Sequence, residues 1–144
     1  MKSMKPLSVW SLIAAGVYLS AMVVVSGQAK TATSGVYSEA QAKRGEAVYK
    51  EQCAACHGDN LEGSGPMPPL AGKDFLSNWQ GKTVGDLFEK TQTSMPATAP
   101  GTLTPEQTAQ VMAYVLSVSK YPAGSAALPD KMDDLKTISI DAPK

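Results

Sequence analysis

Cys53-Ala54-Ala55-Cys56-His57 is the stretch on which the reading of this 144-residue chain turns. These are its only two cysteines and its only histidine. On a turn of helix, the three-residue spacing lines both sulfurs along one edge with the imidazole beside them. Each thiol can then add to a vinyl group of a porphyrin, and His57 can bind the iron axially: the pattern of c-type haem attachment. The competing chemistries fit less well. A thioredoxin-like dithiol belongs to a strand–helix context, which is absent. A structural zinc site needs four ligands, and there is no second cysteine pair. A plain disulfide leaves His57 without a role.

With one histidine, bis-histidine ligation is impossible within the chain. The sixth position falls to a methionine, to another donor or to nothing. Four methionines lie beyond the N-terminal segment: Met67, Met95, Met112 and Met132. Met112 sits on an apolar helical stripe and reads as core; Met132 lies in a polar tail. Met67 and Met95 each adjoin a proline in a loop, where a thioether is well held. Met67 is ten residues past His57 and reads as lining the proximal side, so Met95 is the better candidate. The second ring nitrogen of His57 needs a hydrogen-bond acceptor, for which the Pro68 and Pro69 carbonyls are available.

Around these residues the pattern is helical. Ser38 and Gln41 form a capping box, and a helix follows to about Gln52, with Ala40, Ala47 and Val48 on one apolar side. Gly45 is costly inside a helix and points to a close helix–helix crossing. Residues 58–73 hold four Gly and three Pro, a long irregular loop. Asp74 can cap a short helix through Trp79, and Thr83 another from Val84 to about Thr91. Residues 92–103 form a second loop around Met95-Pro96. Thr104-Pro105-Glu106-Gln107 starts a last helix, stopped near residue 121 by Pro122. The tail, 123–144, is Ala-, Pro- and Asp-rich, and only residues 135–140 read as extended. The expected fold is all-α: three to four short helices and long loops wrapped around one covalent haem. A core of so few helices would be thin, and the cofactor would complete it.

Apolar residues make up 43% of the chain, charged residues 18%, and formal net charge is zero. That composition suits a globular protein and lacks the basic excess of a nucleic-acid binder. Lys2 and Lys5 precede 19 uncharged residues, Leu7 to Val25, and Gly27-Gln28-Ala29 offers small residues for cleavage. Residues 1–29 therefore read as a signal peptide, with an uncleaved membrane anchor as the alternative; the serines and Gly16 within the stretch favour cleavage. Either exports the remainder to the periplasm. A linker, 30–37, would lead into the domain at 38–122, with 123–144 packing on it as a tail.

Across residues 38–122 the chain resembles class I monohaem cytochromes c. Gly45, Tyr49 and Cys53 match the first helix of that family, and Pro68-Pro69-Leu70-Ala71-Gly72 is similar to its Pro-x-Leu-x-Gly segment. The resemblance implies that the Pro68 carbonyl accepts from His57, that Leu70 packs on the haem and that Met95 is the second axial ligand. Phe75, Leu87, Phe88 and Val115 are further haem-packing candidates, and Trp79 a donor to a haem propionate. The docking face would be the haem edge near Cys53 and Cys56 with the Met95 loop. Phe75 to Trp79, Met95-Pro96, Pro100-Gly101 and Tyr121-Pro122-Ala123-Gly124 add a resemblance to cytochromes associated with quinoprotein (PQQ-dependent) alcohol dehydrogenases. The function so implied is single-electron transport, with no catalysis by the chain itself, from such a dehydrogenase to a terminal oxidase or other cytochrome. General carriage between other redox complexes is the alternative. An open-site haem enzyme or sensor is disfavoured, since no distal His or Arg adjoins the Met95 loop. A structural subunit with an incidental haem is a third reading.

Overall fold

Six helices are spaced along the described part of the chain. The structure, a computed structural model, describes residues 30–143; the leader or anchor expected at 1–29 lies outside them. Helix α1 spans Glu39–Gln52, and the Ser38 side chain accepts the Gln41 N–H at its start. Helix α2 is the single turn Ala54–His57. Helices α3 (Gly72–Trp79), α4 (Val84–Ser94) and α5 (Pro105–Val118) follow, and α6 is Met132–Leu135. Full capping boxes, Thr83 with Asp86 and Thr104 with Gln107, start α4 and α5. No helix among the described residues is long and apolar enough to cross a membrane.

The crossing of α1 and α5 is the largest helix–helix interface, and Gly45 makes it possible. A Cβ there would stand 1.8 Å from the Gln110 carbonyl oxygen and 3.1 Å from the Tyr114 Cβ. The buried face of α1 is Gln41, Ala42, Gly45 and Tyr49, not the side marked by Ala40 and Ala47, both of which are exposed. The buried set recurs at three- and four-residue steps. Gly45 marked this face in the sequence, but the polar Gln41 on it did not fit an apolar stripe.

Helix boundaries differ from those expected in three places, each for a local reason. Helix α3 begins before Asp74, with Ala71 rather than an aspartate at its N-cap. Asp74 lies in the first turn, where its charge faces the helix dipole. Helix α4 runs three residues past Thr91 and stops at Met95, which stands before Pro96 and is held in the extended region. Helix α5 ends at Val118, before Pro122 can act. The Tyr121 N–H bonds the Leu116 carbonyl and the Lys120 N–H bonds that of Ser117, with Lys120 left-handed at φ 68°. This is a Schellman termination with lysine in the place glycine usually holds.

The largest departure lies at the two ends. Residues 30–37 are not a loose linker. Lys30–Thr31 (β1) pairs in parallel with Ile138–Ser139 (β2), and Ala32 and Tyr37 are buried. The Tyr37 hydroxyl donates to the Tyr121 carbonyl at 2.7 Å, and the Gly124 N–H returns to the Tyr37 carbonyl at 2.7 Å. Gln41 grips the tail twice, donating to the Leu128 carbonyl at 2.9 Å and accepting the Leu128 N–H at 2.7 Å. Leu128, Leu135, Ile138 and Ile140 thereby join one core with Phe75, Val84, Leu87 and Leu116. The core is thicker than three or four helices alone would supply.

Gly45→Ala should therefore destabilise the domain by about 3 kcal/mol, at the upper end of core overpacking costs, because its neighbour is rigid backbone. Guanidinium unfolding of the holoprotein measures this, and a cost below about 1 kcal/mol would mean that the helices can part freely.

Candidate haem-binding site

Cys53 stands where α1 meets α2. Its N–H closes the first helix on the Tyr49 carbonyl at 2.8 Å, and its own carbonyl accepts from Cys56 at 3.1 Å and from His57 at 2.9 Å. The turn this makes puts residues 53, 56 and 57 on one face. The two cysteines form no disulfide with each other; Cys53 is half-buried and Cys56 exposed. Burial, with Cys56 nearby, pushes the Cys53 thiol up to about 11. That is the opposite of the lowered value with which a redox-active cysteine supplies thiolate. Among the described residues no cluster of three or more His, Cys, Asp and Glu side chains could hold a bare metal ion.

The loop after His57 folds back over it. The Gly63 N–H donates to the His57 carbonyl at 2.8 Å, the Leu70 N–H to that of Leu61 at 2.8 Å, and Ser64 and Met67 form a tight turn between. Gly63 has φ 77°, and a Cβ on it would lie 2.6 Å from the Met67 carbonyl, so only glycine lets the loop close. The closure brings the Pro68 carbonyl to 2.9 Å from His57 Nδ1. A carbonyl can only accept, so Nδ1 carries a proton, and in the neutral ring Nε2 is then the nitrogen with the lone pair. The Tyr49 hydroxyl donates to the Gly58 carbonyl at 2.6 Å, fastening α1 to the residue after His57. His57 itself is 7% exposed.

The other sequence candidates divide between two places. Phe75 and Trp79 lie together on α3, ring centroids 6.5 Å apart, with the Lys82 ammonium 4.9 Å from the Trp79 ring. Phe75 is buried, while Leu70 and Trp79 are half-buried against the core. Leu87 and Phe88 on α4 and Val115 on α5 are buried. Met95 is the C-cap of α4, half-buried, with its N–H on the Thr91 carbonyl at 2.9 Å. Met67 is 37% exposed on the tight turn, and Met112 is packed in the core. Met132 is partly buried on α6 rather than loose in a polar tail. Sequence reasoning missed Gln92, whose amide reaches the Leu103 carbonyl at 2.6 Å and so spans the Met95 loop. A lone glutamine in a polar helix end carries no signal of that role.

Two cysteines on one turn and a buried imidazole beside them are the donor set for a thioether-linked haem. The comparisons agree with that chemistry. Residues 40–115 match the family described as cytochrome c oxidase, cbb3-type, subunit III. The chain belongs to this family of cytochrome c domains. It is a monohaem class I cytochrome c with the small helical fold of that class, an electron carrier whose one haem c is bound covalently through Cys53 and Cys56.

Over 84 residues it is 32% identical to the cbb3-type cytochrome c oxidase subunit CcoP of Rubrivivax gelatinosus, which covers 58% of this chain and 28% of that subunit. The chain thus spans under a third of that relative's length. The crystal structure of the sulfane dehydrogenase SoxCD from Paracoccus pantotrophus shares the fold, with a TM-score of 0.52 at 21% identity over 78% of this chain and 61% of that one.

Replacing both Cys53 and Cys56 by Ala should abolish covalent haem, read as loss of the haem mass from the denatured protein. The doubly substituted domain should also lose most of its cooperative unfolding transition by circular dichroism. A stable folded apo-domain would show that the peripheral core, with Leu128, Leu135, Ile138 and Ile140, suffices alone.

Proposed function

We propose that His57 and Met95 are the axial ligands and that the chain carries single electrons in the periplasm from a quinoprotein dehydrogenase to a terminal oxidase. The haem, once attached, supplies a one-electron Fe(III)/Fe(II) couple. Met95 rests on the family resemblance, and the observation that carries the His57 assignment is the hydrogen bond from His57 Nδ1 to Pro68 O. It sets the tautomer, presents Nε2 as the donor and stops the ring from rotating. Such second-sphere acceptors also raise ligand basicity.

Met95 supplies a soft thioether, and His/Met ligation raises the reduction potential relative to harder ligand pairs. Leu70, Phe75, Leu87, Phe88 and Val115 would add a low-dielectric surround that disfavours the extra charge of the ferric state. Trp79 would donate its indole N–H to a propionate, with Lys82 beside it. Electron exchange would use the edge at Cys56 and the Met95 loop. Ala97 to Thr102 in that loop are exposed and uncharged, in keeping with the small, weak interfaces of redox encounters.

The donor side of the route rests on resemblance to cytochromes associated with PQQ-dependent alcohol dehydrogenases. The acceptor side draws on the relative named as an oxidase subunit. Export follows from the residues at 1–29, with a membrane tether if they are retained.

Met95→Ala should abolish the sulfur-to-iron charge-transfer band of the ferric protein, lower the potential and open the sixth site to cyanide or CO. Met67→Ala should do none of these. The reverse pattern would move the ligand to Met67. For the route, the holoprotein should be reduced by a purified quinoprotein alcohol dehydrogenase turning over its substrate and reoxidised by membranes bearing a terminal oxidase. Failure of reduction alone would leave a carrier with a different donor.

A further inference from the structure

We propose that the side-chain amide of Gln92 is the positioning group that holds Met95 in ligating range, an inference that rests on the reading of Met95 as the sixth ligand. Gln92 sits in the last turn of α4, three residues ahead of Met95. Its Nε2 donates to the Leu103 carbonyl at 2.6 Å, and its Oε1 accepts the Thr108 hydroxyl at 2.9 Å. Thr108 is fully buried in the first turns of α5 and also reaches the Thr104 carbonyl at 3.1 Å. One amide thus joins the end of α4, the far end of the Met95 loop and the start of α5.

Apart from the buried side chain of Leu103 at its far end, the loop has little else to hold it. The Ala99 N–H bonds the Pro96 carbonyl and the Thr102 hydroxyl bonds the Ala99 carbonyl, both within the loop. Among the described residues, Gln92 is the one side chain from outside residues 95–103 that hydrogen-bonds into them. Residues 97–102 are exposed, so they contribute few apolar contacts of their own. Segments with few buried contacts open locally at low cost. A neutral thioether is a ligand that such opening would release. Anchoring Leu103 closes the loop at its base and leaves Met95, at the other end, fixed by its own N–H on Thr91.

The test uses the ferric holoprotein and free imidazole, which competes with Met95 for the iron. Gln92→Leu should weaken the sulfur-to-iron charge-transfer band and raise imidazole affinity about tenfold, the equivalent of ~1.4 kcal/mol and the size of one buried hydrogen bond. Gln92→Glu keeps the length and the acceptor for Thr108 but presents no donor to the Leu103 carbonyl. It should behave the same way, and it decides the matter if the leucine variant yields no holoprotein. Met95→Ala, measured alongside, marks the fully open site. If both Gln92 variants keep the wild-type band and imidazole affinity while Met95→Ala loses the band, the positioning role is overturned, whatever happens to their melting temperatures. If Met95→Ala itself keeps the band, the ligand assignment is what fails.

Discussion

The hydrogen bond between His57 Nδ1 and the Pro68 carbonyl, 2.9 Å long, is the constraint on which the site depends. A neutral imidazole has two tautomers, and the proposed ligation by His57 uses the one with a bare Nε2. A proline carbonyl makes that choice without ambiguity, because it has nothing to donate. To deliver it, the chain from Gly58 to Leu70 must fold back on itself. Gly63 permits the return, and the Gly63–His57 and Leu70–Leu61 backbone bonds secure it.

The rest of the domain holds that unit in place from two sides. Tyr49 reaches from α1 to the Gly58 carbonyl, so the angle of α1 is transmitted to the haem-attachment turn. The angle of α1 in turn depends on contact between the Gly45 and Gln110 backbones. On the other side, α4 and α5 carry the apolar residues Leu87, Phe88 and Val115 and the Met95 loop, with Gln92 joining the two helices across it. Both sides meet in the α1–α5 crossing, so a disturbance there reaches both the haem-attachment turn and the Met95 loop.

The ends of the described chain change how the cofactor's structural role should be weighed. Tyr37, Gln41, Tyr121 and Leu128 tie the two ends to the helical body through backbone carbonyls and amides. Ile138 and Ile140 then join the core, with β2 against α4. Haem is therefore one part of a core with a substantial protein component.

What could be read without coordinates was whatever depends on short-range spacing. The Cys53–His57 turn, the caps at Ser38, Thr83 and Thr104, the Gly45 crossing and the all-α class all follow from residues at most a few positions apart, where covalent geometry and helix periodicity decide. The family's Pro-x-Leu-x-Gly segment singled out Pro68 and Leu70, but spacing alone left Pro68 and Pro69 equal as acceptors. Tertiary structure decided what depends on distant partners. Gln41 is a polar residue on a buried face because Leu128 meets it. Lys30 and Thr31 form a strand because Ile138 and Ser139 lie alongside, more than a hundred residues away. Gln92 matters because Leu103 and Thr108 converge on it. Each of these is a polar group whose value comes from a carbonyl, amide or hydroxyl brought to it by the fold, and local sequence does not encode that meeting.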